Sequence, residues 1–166
     1  MKIKIGATRM VIVLNEYKCA YKIARFRPIK TVLKVFQVSI FSKQCWVFFE
    51  KYGACNLLEA FSKYLFAGFY ANHLESNYSQ NGDDQRVNAV QNSYLFGFII
   101  TQPAAEFVST KTILADTGGA ARLFNLVNSE LTSPKQFGRN QLGSIVIVDY
   151  GSPLTLRVLK TSMNLK

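Results

Sequence analysis

The stretch Gln141 to Gly151 holds the residues best suited to chemistry. Ser144 to Val148 has the β-branched density of a buried strand, Gly143 marks a turn before it, and the run stops at Asp149-Tyr150-Gly151. A carboxylate at the end of a buried strand, beside a glycine that lets the backbone turn, can present an acid to a metal ion or a phosphate. Asp and Gly are also ordinary strand terminators, so the triplet alone does not choose between the two readings. Cys19, Cys45 and Cys55 are odd in number and lack close metal-ligand spacing, and the single His73 completes no familiar zinc set with them. They read as buried thiols.

Length and composition bound what can position such a group. A chain of 166 residues, 49% apolar and 13% aromatic, fits one domain with a true core and is too hydrophobic for a disordered segment. The longest apolar run, Tyr64 to Ala71, is far short of the roughly 18 residues needed to span a bilayer. At the start, lysines alternate with isoleucines, which reads as a first strand and not a signal peptide, so a cytoplasmic protein is expected. The net charge of +10 is uneven: residues 1–66 carry 12 Lys and Arg against 3 acids, residues 67–166 carry 8 against 7. That asymmetry suits an anionic partner such as nucleic acid, nucleotide phosphate or an acidic protein, and equally a solvated basic face.

The order of elements follows from alternation, turn residues and caps. Lys2 to Ile5, Met10 to Leu14, Cys19 to Ala24 and Thr31 to Val38 read as strands of an antiparallel meander, with Gly6-Ala7-Thr8, Asn15-Glu16 and Arg27-Pro28 between them. Trp46 to Tyr52 suits a short helix or another strand. Asn56 caps a helix with Glu59 in capping-box register, and Leu58, Phe61, Leu65, Phe69 and His73 mark its apolar face out to about Ser76. A polar loop, Asn77 to Asn88, leads to a strand Tyr94 to Thr101, then Gln102-Pro103 and a helix or turn through Glu106. A helix Ala120 to Val127 and a loop Asn128 to Gln136 follow, then a hairpin of Phe137 to Arg139 with Ser144 to Val148. A last strand, Leu154 to Leu159, closes the chain. The expectation is a single α+β domain, 1–166, with an N-terminal antiparallel sheet and one main helix over 1–101, and a short helix and β-hairpin over 102–166.

This order resembles that of a protein kinase, and the resemblance extends to particular residues. Tyr21-Lys22-Ile23-Ala24 lies on the third strand, where kinases carry their Val-Ala-Ile-Lys lysine. Glu59 lies on the next helix, where kinases place the glutamate that pairs with that lysine. Asp149-Tyr150-Gly151 looks like Asp-Phe-Gly with Tyr for Phe. The chain is also similar to small kinase-like proteins of bacteriophages in Gly6-Ala7-Thr8-Arg9, Lys22-Ile23-Ala24-Arg25 and Gln136-Phe137-Gly138. The resemblance implies ATP and Mg²⁺ as cofactors, with Lys22, Glu59 and Gly6 at the nucleotide and Asp149 and Gln136 at the metal. It fits the chemistry, since a Mg²⁺-triphosphate needs a cation near its phosphates, an acid that orients that cation and a carboxylate on the metal. Taken singly, Lys22 suits a surface lysine and Glu59 a helix cap or an i,i+4 pair with Lys63.

The departures point toward a degenerate site. Gly6-Ala7-Thr8-Arg9 has one glycine where kinases use several to bring backbone amides to the phosphates. Gln136 stands in the place of the metal-binding Asn, and five residues before it the base position holds Leu131, leaving the adjacent Glu130 as a weak candidate base. Only 15 residues follow Gly151, too few for a peptide-binding helical lobe. The leading expectation is a truncated, pseudokinase-like protein that binds a host or partner protein, with or without a nucleotide. The alternatives are an active ATP-dependent phosphotransferase, or a nucleic-acid binder. The last would use Lys2, Lys4, Arg9, Lys18, Arg25, Arg27, Lys30 and Lys34 among Tyr17, Tyr21, Phe26 and Phe36.

Overall fold

The structure is a computed structural model; it describes residues 1–33, 54–82, 84–117, 120–124 and 131–163. Strands β1 (Lys2–Ile5), β2 (Arg9–Leu14) and β3 (Cys19–Ala24) form the expected antiparallel meander. The tight β1–β2 turn is closed by Gly6 N donating to Arg9 O at 2.8 Å. The chain then departs from the expected fourth strand. Residues 28–33 are helical, with the Thr31 amide and hydroxyl both donating to Arg27 O at 3.0 and 2.7 Å. Pro28 at the first helical position fixes φ where no amide donor is required, and this local preference outweighs β-rich composition over Thr31 to Leu33, the described part of the expected strand; residues 34–38 lie outside the described residues. The stretch Trp46 to Tyr52, Cys45, Lys34 and Phe36 lie outside the described residues.

The expected main helix is two. Helix α1 (Leu57–Leu65) ends at Phe66 and α2 (Ala67–Gln80) starts beside it, Phe66 having a non-helical ψ of 28°. Along α2 the buried residues are Ala67, Gly68, Ala71, Asn72, Glu75 and Ser76, a stripe of small and polar side chains at helical spacing. Close approach explains the small ones. A Cβ on Gly68 would lie 2.1 Å from Thr8 O, and one on Gly151 would lie 2.6 Å from Ala71 O. The helix backbone therefore rests almost directly on the β1–β2 turn at one point and on the Asp-Tyr-Gly segment at another. Gly151 is required by packing and not by a left-handed φ, since its φ is outside that region. Of the large side chains expected to face the core, Leu58 is 82% exposed and His73 lies at the surface, while Phe61, Leu65 and Phe69 are half-buried.

The single strand expected over Tyr94 to Thr101 is a hairpin, β4 (Asn92–Tyr94) and β5 (Ile99–Pro103). Its turn has Leu95, Phe96 and Gly97 at φ 49°, 56° and 94°. Strand order is β1-β2-β3-β5-β4, antiparallel throughout, and Lys22 aligns with Val11 on one side and Ile100 on the other. A boundary at residue 101 thus falls inside β5.

The second half has a three-stranded antiparallel sheet of β6 (Glu106–Phe107), β7 (Phe137–Arg139) and β8 (Ile145–Ile147), the last two being the expected hairpin. Helices α3 (Thr110–Leu114) and α4 (Ala120–Leu123) lie in the chain between β6 and β7. The final segment is not a strand but helix α5 (Pro153–Met163). Ser152-Pro153 starts it as Pro28 starts the earlier one, and the buried Thr155, Leu156 and Leu159 follow helical spacing. Leu156 and Leu159 pack with Val108, Ile113, Leu131, Phe137, Ile147 and Tyr150 in the main core. Cys55 is exposed and Cys19 half-buried, so neither is the buried thiol expected. The fold class is α+β.

Candidate functional site

Beneath α2, four charged side chains from four elements meet. Arg9 opens β2, Lys22 is central in β3, Glu75 lies on the buried stripe of α2, and Asp149 follows β8. Lys22 Nζ lies 2.7 Å from Glu75 Oε2 and also donates to Val148 O. Arg9 reaches Glu75 Oε1 at 2.9 Å with one terminal nitrogen and pairs with Asp149 Oδ1 through the other. Glu75 is fully buried, and Arg9 and Lys22 are nearly so. Asp149 is the exception, with 55% of its side chain accessible.

The polar surroundings are saturated. Glu75 Oε1 accepts from the amides of Tyr150 and Gly151 at 3.1 and 3.0 Å, and Gln102 Nε2 donates to Oε2 at 3.3 Å. Asn72 accepts from Arg9 at 3.3 Å and donates to the carbonyls of Lys22, Gly97 and Phe98. One helix glutamate thus ties β2, β3 and β5 to the chain after β8. A buried carboxylate is tolerable only with this many partners.

The electrostatics follow. Burial pulls the Lys22 pKa below the ordinary lysine value, against the opposing pull of Glu75, and the Arg9 charge adds to the fall. Burial also disfavours the Arg9 cation, but Asp149 and Glu75 outweigh it and raise its pKa above the usual arginine value. Desolvation pushes the Asp149 carboxyl up; Arg9 and then Lys22 outweigh that and hold it below the ordinary aspartate range. Two cations and two anions leave the cluster neutral. Burial, then the Glu75 charge, pushes the Tyr150 phenol up, and its hydroxyl donates to Asn88 O at 3.1 Å.

The sequence-derived candidates divide. Lys22 and Asp149 are in the cluster; Glu59 is not. Its carboxylate is bound to Lys63 at 2.7 Å and accepts from Cys55 N at 2.8 Å at the start of α1, so the partner of Lys22 is Glu75. Gly6 lies in the β1–β2 turn, where its carbonyl accepts from Arg25 at 2.8 Å. Leu131 is fully buried in the main core. Gln136 turns back to accept from Ser133 N at 3.2 Å, completing a capping box. Glu130 lies outside the described residues. Arg9, expected on a basic binding face, is consumed by inward ion pairs. Compared with protein-family models, curated proteins and solved structures, the chain matches none.

Arg9 and Glu75 were missed as site residues. The available signal was the pattern Gly68-Ala71-Asn72-Glu75, because polar residues in register with small ones mark a helix face pressed against backbone. Mg²⁺ does not fit these residues as they stand. The Asp149 carboxylate is committed to Arg9, Gln136 to its cap, and no group of three or more His, Cys, Asp or Glu side chains that could hold a metal ion is present among the described residues.

Proposed function

We propose that the protein is a kinase-like scaffold with a degenerate nucleotide cleft, acting by binding a partner protein. The observation that carries this reading is the Lys22–Glu75 pair at 2.7 Å, a third-strand lysine held by a helix glutamate, meeting the Asp149-Tyr150-Gly151 segment at the same point. That is the convergence the resemblance to kinases implies, with Glu75 in place of Glu59.

Degeneracy rests on three further features. Leu131, at the base position, is a core residue with no ionisable group. The Gln136 side chain is occupied by its cap. The four-residue ion cluster is neutral, so a triphosphate meets no surplus positive charge there. Losing a positioned base alone removes about 10² to 10⁴ in rate. For partner binding, the support is an open apolar pocket of about 450 Å³ beside α2, whose lining includes Phe26, Phe66, Phe69, Tyr70 and Phe98. Among the described residues no helix is long and apolar enough to cross a membrane.

The test pairs a labelled-ATP transfer assay with a thermal titration by ATP, with and without Mg²⁺, on the native chain and on Asp149→Ala. The expected result is no transfer of label, with any ATP-induced rise in melting temperature arising from binding to the folded state alone. Rapid transfer that Asp149→Ala abolishes would make the protein an enzyme and sink this reading.

A further inference from the structure

We propose that the Arg9 guanidinium is a built-in replacement for a divalent cation, seated among oxygen donors that would otherwise hold one. Its two terminal nitrogens touch three side-chain oxygens from two separate parts of the chain: Asn72 Oδ1 at 3.3 Å, Glu75 Oε1 at 2.9 Å, and Asp149 Oδ1. Two carboxylates and an amide carbonyl, all hard oxygens, are the donor types that Mg²⁺, Mn²⁺ and Ca²⁺ take. The arginine is 6% exposed, so it belongs to the packed interior and is not a loose surface partner.

Charge explains why something cationic must be there. Without Arg9, Lys22 faces both Glu75 and Asp149, and the cluster carries one net negative charge in a desolvated place. A divalent ion at the guanidinium position offsets that charge and leaves one net positive, whereas a singly charged guanidinium cancels it. Arginine does so permanently, because its pKa is far above any working pH and it arrives with the fold. Asp149 completes the arrangement: more than half of its side chain is accessible, so the cluster is open to solvent on the side where an ion would enter.

The chain as it stands should therefore hold no divalent metal at Asp149, and removing the guanidinium should create a site that binds one. This inference rests on the local geometry of Arg9 and not on the kinase-like reading. Its test uses metal without nucleotide, so the two can fail separately.

Mn²⁺ is the probe, followed by calorimetry and by loss of its free-ion electron paramagnetic resonance signal. The native chain and Arg9→Lys, which keeps the charge, should show no Asp149-dependent binding. Arg9→Ala should bind Mn²⁺ tighter than the native chain by roughly ten- to a hundredfold, the scale on which ligand charge tunes such sites, and the added change Asp149→Asn should abolish the gain. Arg9→Ala should also melt higher with Mn²⁺ than without, while the native melting temperature stays constant. Mn²⁺ binding by the native chain that Asp149→Asn removes would overturn the proposal. So would a folded Arg9→Ala that gains no affinity, or an Arg9→Ala that remains unfolded at millimolar Mn²⁺, since a divalent ion would then be unable to take the guanidinium's place.

Discussion

Two lysine–glutamate pairs, each at 2.7 Å, have their glutamates on consecutive helices and differ in almost everything else. Glu59 and Lys63 are four residues apart on α1 at the surface; Glu75 and Lys22 are 53 apart, join α2 to β3, and are buried. The first pair is local and replaceable by water. The second has no water to fall back on, and its carboxylate also holds Arg9 and two backbone amides. The same two side chains thus decorate a helix in one place and join four segments in the other. What separates them is desolvation and the number of elements joined.

The largest expected effect follows from that difference. Glu75→Ala leaves Arg9 and Lys22 facing one another, with only Asp149 to compensate and two amides unpaired. Stripping one partner from a buried ion pair costs about 3–5 kcal/mol, enough to unfold a marginal domain. Urea denaturation of Glu75→Ala should show a midpoint far below that of the native chain, or no folded baseline, whereas Glu59→Ala, which loses one surface ion pair and one amide contact, should lower it only slightly. Equal losses in the two variants would break the comparison.

Acid sharpens it. A carboxyl whose folded pKa lies below its unfolded value contributes stability that is complete above the ordinary aspartate value of about 3.9, and this drains away as pH falls through the folded value. Asp149 is such a group. So is Asp84, where burial is outweighed by hydrogen bonds from Arg86 and Tyr78. Asp149→Asn removes the first contribution and leaves the second. Its melting temperature should fall below native at neutral pH, and the gap should close as pH drops below about 4. A gap that stays constant with pH would remove the Asp149 ion pair as its cause. Half-exposure of Asp149 makes this effect smaller than that of Glu75→Ala.

Sequence periodicity found the meander β1 to β3, the hairpin of β7 and β8, and Asn56 as a cap, because each depends on signals within a few residues. It failed where a short local device competed with composition. Thr31 to Val38 and Leu154 to Leu159 are β-rich, yet Pro28 and Pro153 each start a helix. It failed again on the helix face. The eye follows Phe61, Leu65 and Phe69, large apolar residues at helical spacing, but the stripe that meets the sheet is Gly68, Ala71, Asn72 and Glu75, chosen for closeness instead of volume. Lys22 and Asp149 were legible from residue type and order. Arg9 was not, since an arginine after a tight turn reads as surface charge until the fold puts two carboxylates around it.

The smallest effect concerns the surface region alone. Asn56 Oδ1 accepts from Glu59 N at 2.8 Å, capping one orphan helix amide, while Glu59 Oε2 accepts from Cys55 N at 2.8 Å, one residue ahead of the cap. Asn56→Ala removes one of these bonds and should cost about 1 kcal/mol, whereas Asn56→Asp, which keeps the acceptor and adds a negative charge at the helix start, should hold native stability or exceed it. The loss should be local. Amide exchange should quicken in the first turn of α1 and stay unchanged around Tyr150 and Gly151, whose amides are held by Glu75. If α1 and the buried cluster are energetically separate, Asn56→Ala combined with Asp149→Asn should show additive losses within about 0.5 kcal/mol. A larger coupling would mean that α1 helps to place Glu75, and the surface pair could no longer be treated as decoration.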